Sequence, residues 1–481
     1  MKRILSILII LAMLLSLAAC KQKEDDKKQD QPPTKTPPAE IDAPTINGVS
    51  ILDYTVVIDK DGLDYDLRAA EYIRASLLAT LDADVEITAD MIPIVYDSIP
   101  KADHEIVVGE TSREISAELD EETEGLEFAI EVKDGSIALE GDYFIIAAAA
   151  YYLVDNLSAS FPDAKIADGV TVSEPIVKEA KNLIMLIGDG MGVYQTKLHD
   201  YLEDVSDFSD GEDFFYGYLL PYQGFSRTTS FTGVTDSAAG GTALSTGYKT
   251  YNEYVGLDKN GSEIKNLTEL AGELGKATAV MSTENKTGAT PSTFSAHTSN
   301  RDNSDEILED QLALATKYGT VIDCGYDYYT ARYMRVIENH ITDTLSALDA
   351  DEDGFFLMYE EAHIDKKCHK NDIDGTFLAL IRFNQAIARF MEYAFYNPDT
   401  MILITADHET GDLRPGEDGS LSYNREEHSG ADVPIFAYGM GAESIDKKTV
   451  ENIEIAKLFA SLMGVESFGD PSDEWYDEIY G

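Results

Sequence analysis

Eight histidines occur in 481 residues, and three of them stand near aspartates at spacings that suit metal ligation. His369 follows Asp365 by four residues in EAHIDKKCH, so on a helix both side chains share one face. His408 follows Asp407 in TADHETG at a predicted strand end, and His428 lies in a polar loop, EEHSG, before the last predicted strand. Taken singly, each is more often a surface or core histidine than a ligand. With Asp189 they make three histidines and three aspartates at strand ends and adjacent loops. Nitrogen and oxygen donors without thiolate suit zinc, and all-oxygen positions suit harder cations. Ser237 precedes an Ala-rich helix in VTDSAAGGTALSTG, which puts its hydroxyl at a helix N-terminus, where negative charge is favoured. On that segment alone, an ordinary capping serine fits equally well. No GxSxG elbow or P-loop competes with it.

The elements that must position these residues are short apolar runs separated by helical stretches: NLIMLIGD, ATAVMST, FFLMYEE, MILITADHE and VPIFAYG. Continuous apolar runs suit strands buried on both faces, so the region from about 180 reads as α/β, a mostly parallel central sheet flanked by helices. In open parallel sheets ligands bind at the carboxyl edge. Asp189, Glu360 and Asp407 end such runs and are expected to line one edge. Upstream, YTVVI (54–58) and HEIVVG (104–109) read as strands, and Leu67, Ala70, Ile73, Leu77 and Leu81 keep helical spacing. FAIEV-KDG-SIALEG reads as a hairpin turning at Lys133-Asp134-Gly135, and FIIAAAAYYLVDNL as an apolar helix. This smaller N-terminal α+β domain loosely resembles one that precedes the catalytic barrel in some bacterial glycoside hydrolases. No catalytic residue transfers from it, and an accessory role is expected.

IGDGMG (187–192), TDSAAGGTAL (235–244), GATPSTFSAHTSNRD (288–302), EEAHIDKKCH (360–369), TADHE (405–409) and EEHSG (426–430) occur in this order. Together they resemble the alkaline phosphatase family, over residues from about 180 to 470. The resemblance implies a metal-dependent phosphomonoester hydrolase with an alkaline-phosphatase-like fold, two zinc ions and one magnesium ion. By it, Ser237 is the nucleophile that becomes phosphorylated. Asp365, His369 and His428 hold the first zinc; Asp407 and His408 hold the second, with Asp189 bridging to magnesium. Thr290 and Glu360 complete the magnesium site. Arg301 clamps the phosphate, Asp236 holds Arg301, and Lys366 lies near the phosphate. One position departs: where family members often carry Asp or His two residues before the threonine, this chain has Gly288, so extra room beside it and a weaker magnesium site are expected. A phosphodiesterase or sulfatase of the same superfamily is the nearest rival. A non-catalytic surface lipoprotein that binds phosphate or glycan is the rival of another class.

Composition bounds the rest. Lys plus Arg number 37 against 89 Asp plus Glu, a formal charge of −52, which excludes a nucleic-acid-binding surface built on a basic face. A site for phosphate monoesters in such a chain must carry its own positive charge, and the zinc pair, Arg301 and Lys366 would supply it. Residues 1–19 read as a secretory signal whose end, Leu17-Ala18-Ala19-Cys20, resembles a bacterial lipobox. Cys20 would carry a lipid that anchors the chain to the membrane, extracytoplasmic on the bacterial cell envelope. Residues 20–46, charged and proline-studded, read as a disordered tether, 47–175 as the accessory domain, and 178–475 as the catalytic domain. Spacing leaves open whether Cys324 and Cys368 pair. The sequence leaves a homodimer possible.

Overall fold

The computed structural model describes residues 41–480 apart from 42, 61, 63, 82–84, 86, 89, 118, 120–126, 142–143, 174–179, 199–214, 326–332, 417–419 and 473. The signal segment and most of the tether lie outside the described residues. Two compact units divide the chain, one ending at Pro175 and the other beginning at Ile176.

In the first unit the strands are β1 (Thr45–Ile46), β2 (Val49–Ser50), β3 (Thr55–Ile58), β4 (Ile94–Tyr96), β5 (Glu105–Val108), β6 (Phe128–Lys133), β7 (Ser136–Glu140), β8 (Asp163–Ala164) and β9 (Gly169–Ser173). Six of them form a mixed sheet in the order β4-β3-β5-β7-β6-β9, parallel from β4 to β7 and antiparallel from β7 to β9. The β6–β7 hairpin turns at Asp134 and Gly135 with φ of 51° and 77°, the left-handed pair that tight hairpins require. Helices α1 (Asp64–Leu78) and α2 (Ile145–Ser158) pack on each other. Ala70, Ile73 and Leu77 of α1 are buried, whereas Leu67 is half-buried. The tether expected to reach residue 46 ends earlier. Ile46 is fully buried, and β1 pairs with both β2 and β8, because one apolar side chain and two ladders suffice to fix the strand.

The second unit is built on an eight-stranded sheet. Its strands are β10 (Asn182–Gly188), β11 (Tyr222–Arg227), β12 (Ala277–Ser282), β13 (Val321–Cys324), β14 (Phe355–Glu361) and β15 (Thr400–Thr405). Two short strands, β16 (Glu409–Thr410) and β17 (Arg414–Pro415), precede β18 (Leu421–Ser422) and β19 (His428–Ser429); β20 (Val433–Tyr438) and β21 (Thr449–Glu451) finish the unit. The large sheet runs β13-β12-β14-β10-β15-β20-β11-β21, with five parallel pairs and only β15–β20 and β20–β11 antiparallel. Thus β20, expected as the last strand, is followed by β21, which pairs beside β11. Every residue of β10 is buried, as its unbroken apolar run requires. One face packs Met185, Met358 and Leu403 with Ile455 and Phe459 of a late helix. Against the other lies the 24-residue helix Ile373–Tyr396, whose Phe383 stacks on Tyr359.

Register sets the working edge. Ile187 of β10 pairs with Glu360 of β14 on one side and Thr405 of β15 on the other. The residues just beyond these pairs, Asp189 and Asp407, therefore leave the same carboxyl edge. Gly190 follows with φ of 73°, and a Cβ there would stand 2.9 Å from the Asp365 Cα, so the turn needs a residue without a side chain.

Candidate metal and phosphate centre

Ser237 is the first residue of α3 (Ser237–Thr246), and Asp236 is its N-cap, accepting from the Ala239 amide at 2.9 Å. The capping role therefore belongs to Asp236, which leaves the serine hydroxyl available. Gly240 lets this helix lie against the end of β15, since a Cβ would meet the Asp407 carbonyl oxygen at 2.8 Å. Ser237 is 4% exposed, and its Oγ lies 3.2 Å from His408 Nε2.

The three histidines share one arrangement. His428 Nδ1 donates to the Thr235 carbonyl at 2.9 Å, and His369 Nδ1 donates to that of Glu426. The Thr410 hydroxyl donates to Asp365 Oδ1 at 2.5 Å, which leaves its oxygen to accept from His408 Nδ1 at 3.2 Å. In a neutral imidazole so oriented, Nε2 presents its lone pair. Two such nitrogens, on His369 and His428, face each other at 3.1 Å, and Asp365 Oδ1 stands 3.3 Å and 3.6 Å away. Like lone pairs at that distance repel, and a cation between them would turn repulsion into ligation. The antiparallel pairing of β16 with β19 sets Thr410 opposite His428 and stacks the His408 and His428 rings at 3.6 Å.

A second cluster adjoins the first through His408. Its Nε2 lies 3.5 Å from Asp189 Oδ1 and 3.4 Å from Asp407 Oδ2. Asp189, Asp407 and His408 present ligand atoms within 4.8 Å of one another, as do Asp365, His408 and His428. Both Asp189 Oδ1 and Asp407 Oδ2 are buried without a hydrogen-bond partner. Burial and the neighbouring carboxylates of Asp407, Asp365 and Glu360 push Asp189 well above the usual carboxylate range. Burial and Asp365 lift Asp407 to about 7. His408 goes the other way: burial, then His428 and Arg301, hold it well below its usual value, so it stays neutral, as a ligand must.

The third set sits beside this one. Glu360, the penultimate residue of β14, is buried, and burial foremost lifts its carboxyl to about 8. Thr290, on the short helix α4 (Ala289–Thr293), lies beside it and favours its ionised form. Thr290 Oγ1 nonetheless makes no geometrically sound hydrogen bond and is buried. Asp189, Thr290 and Glu360 thus bring hard oxygens from three segments together. Asp189 Oδ1 and Thr290 Oγ1 are short of partners, hard oxygens of this kind fit a cation, and the residues present suit all three positions.

Arg301 Nη1 donates to Asp236 Oδ2 at 3.2 Å, and the same carboxylate oxygen accepts from the Glu253 amide at 3.0 Å. Arg301, expected from the sequence as a phosphate clamp, is therefore anchored to the residue that caps α3. Lys366, expected near phosphate, lies on α5 (His363–Cys368) and pairs with Glu284. Its neighbour Cys368 is a buried free thiol beside the Tyr423 hydroxyl at 3.3 Å, and Cys324 is free as well.

Sequence reasoning missed two contributors. Thr410 orders both Asp365 and His408, and its place inside TADHETG was the available signal. Glu284 carried none beyond being one acid among many.

A family model for alkaline phosphatase matches residues 180–323 and 334–422. Alkaline phosphatase 3 of Bacillus subtilis (strain 168) is 31% identical over 346 residues, 60% of this chain and 75% of its own length. The solved alkaline phosphatase of the Antarctic bacterium TAB5 superposes with a TM-score of 0.53 at 25% identity, covering 61% of this chain and all of its own. A histidine-to-aspartate variant of that enzyme, described as having magnesium bound in the M3 site, gives 0.51 at 26%, again covering 61% of this chain and all of its own. The matched residues hold the whole carboxyl edge from Asp189 to Asp407, and the mostly parallel sheet that carries it is the one these relatives share. By sequence and by fold, the chain is a phosphatase of the alkaline phosphatase family.

Proposed function

We propose that the chain hydrolyses phosphate monoesters through a phosphoserine on Ser237, with two zinc ions and one magnesium ion per chain. The observation that carries this reading is the convergence of His408 with two groups of aspartates and histidines, beside which the Ser237 hydroxyl lies 3.2 Å from His408 Nε2. Asp365, His369 and His428 would hold the first zinc, Asp407 and His408 the second, and Asp189 would bridge to a magnesium held with Thr290 and Glu360. When bound, the zinc pair supplies Lewis acidity that lowers the pKa of a hydroxyl and stabilises a departing oxygen. Ser237, at the helix N-terminus, presents Oγ to phosphorus; an Oγ–P bond forms as the ester P–O bond breaks. The serine proton balances the one taken up by the leaving alkoxide. Water then attacks the phosphoserine, the Oγ–P bond breaks, and Ser237 recovers its proton while phosphate leaves.

Arg301 offers two parallel N–H donors to two phosphoryl oxygens, held in place by Asp236. That arrangement favours a dianionic monoester over a diester. Lys366, paired with Glu284, would add a point charge. In a protein of net charge −52 these groups supply the positive charge that a dianion needs. We assign residues 47–175 an accessory role, and the chain to the outer face of a bacterial envelope through a lipid on Cys20.

Ser237→Ala tests the mechanism. Turnover of an aryl phosphate should fall by about 10³-fold or more, and acid-quenched enzyme should no longer retain labelled phosphate. Undiminished turnover would sink the phosphoserine route. A preference for bis-aryl phosphate or aryl sulfate over aryl phosphate would overturn the monoester assignment.

A further inference from the structure

The segment between β12 and α4 runs through Ser282, Thr283 and Glu284 to Gly288, which is the N-cap of α4. The sequence led to an expectation of room beside Gly288. The structure corrects it. A Cβ placed on Gly288 would overlap Glu284 Cγ and would stand 3.0 Å from the Asn285 carbonyl oxygen and 3.2 Å from Glu284 Cβ. The volume that a side chain at 288 would claim is filled by Glu284, which reaches it from four residues upstream.

The contacts of Glu284 fix its carboxylate between two parts of the site. One oxygen pairs with Lys366 Nζ, and the other accepts from the Asn285 amide at 3.2 Å. Its backbone amide donates to Ser282 Oγ at 2.8 Å, and that hydroxyl donates in turn to Glu360. Glu284 is therefore one hydroxyl away from Glu360, near enough that its charge helps to raise the Glu360 carboxyl. Thr290 Oγ1, 1% exposed and without a hydrogen bond, completes the same corner.

Magnesium dehydrates reluctantly and keeps several waters, so its affinity depends on acceptors just outside the direct ligands. We propose that Glu284 is the positioning residue of the third cation site: its carboxylate does for the water shell what a side chain at 288 would do, and it ties that shell to Lys366. This rests on the reading of Asp189, Thr290 and Glu360 as a magnesium site. Because the same carboxylate holds Lys366, cation and phosphate-side lysine are coupled through one side chain.

The test uses full-length, zinc-loaded protein and magnesium titrations read by calorimetry and by thermal unfolding. Glu284→Gln keeps the volume and removes the charge. It should weaken Mg²⁺ binding by about 10–100-fold, with zinc content and the unfolding temperature without Mg²⁺ unchanged. In the double variant Glu284→Ala/Gly288→Asp the carboxylate returns to position 288, and most of the affinity should return with it, above that of Glu284→Ala alone. Equal Mg²⁺ affinity of Glu284→Gln and the unaltered protein would overturn the proposal and leave the magnesium site standing. So would a double variant no better than Glu284→Ala. If the unaltered zinc-loaded protein takes up no Mg²⁺, the third site fails and this proposal with it.

Discussion

One buried carboxylate of the first unit and three of the second are treated in opposite ways. In the N-terminal unit Glu105, 1% exposed, faces Arg113: Nε and Nη2 reach its two oxygens at 2.9 Å and 3.0 Å, and the Ala102 amide adds a third bond at 2.9 Å. Two further Arg113 donors go to the Asp97 and Ile99 carbonyls. The chain itself supplies the countercharge, so the acid is structural. In the second unit Asp189, Asp407 and Glu360 are also buried, and burial together with neighbouring carboxylates lifts their carboxyls. Among the described residues, every convergent group of three or more potential metal ligands lies in the second unit. An acid whose charge the fold balances holds the fold together. An acid whose charge the fold leaves unbalanced waits for a cation.

The largest effect that could break this contrast lies at Asp407. Asp407→Asn should lower turnover by about 10²-fold or more, since a neutral amide is a poor ligand for a hard cation. In metal-free protein near pH 8 the same change should raise the unfolding temperature, because it removes a charge that burial and Asp365 disfavour. A metal-free variant that melts below the parent would mean that Asp407 is balanced internally after all.

Arg113→Ala should behave in the reverse sense. It leaves Glu105 buried and unpaired, a loss of about 3–5 kcal/mol for a broken buried pair. Differential scanning calorimetry should show destabilisation of the N-terminal unit, while kcat/KM for an aryl phosphate stays within about twofold. A large fall in kcat/KM with both units folded would show that this unit is no accessory.

The contrast also explains what could be read from the sequence. The carboxyl-edge acids were legible because a buried parallel strand must be apolar throughout, so an aspartate at its end stands out. Asp365 and His369 were legible from their spacing. The meeting of His428 with His369 depends on β16–β19 pairing, and only the ordered motifs of the family indicated it. Gly288 misleads, because a residue without a side chain predicts empty space where here a neighbour, Glu284, has folded in. Glu284 could not be singled out among 89 acids until its distance to Gly288 and Lys366 was seen. β1 was missed for a related reason: two residues offer no periodicity, and what fixes them is a partner over a hundred positions away.

Two histidines, His408 buried and His297 half-buried, give the smallest and most exacting form of the comparison. His408 faces other histidines and Arg301 and is held neutral. His297 faces Glu269 Oε1 at 3.3 Å, and its Nδ1 donates to the Gly256 carbonyl at 2.9 Å. Burial alone would lower it, but these two partners outweigh burial and raise it to about 9. In the unfolded chain a histidine titrates near 6.5. The folded state therefore holds this proton more tightly, and the stability it brings is present in full below about pH 6.5 and lost as pH rises through about 9. The difference corresponds to about 3 kcal/mol. Glu269 also caps the helix beginning at Leu267 by accepting from the Asn266 amide at 3.0 Å, so the pair links that helix to the segment leading into Arg301. His297→Gln should destabilise zinc-loaded protein most near pH 6, and the gap from the parent should close by about pH 10 in denaturant melts. A gap of constant size across that range would mean that His297 contributes packing and a neutral hydrogen bond alone, and that the charge contrast between the two histidines is not used.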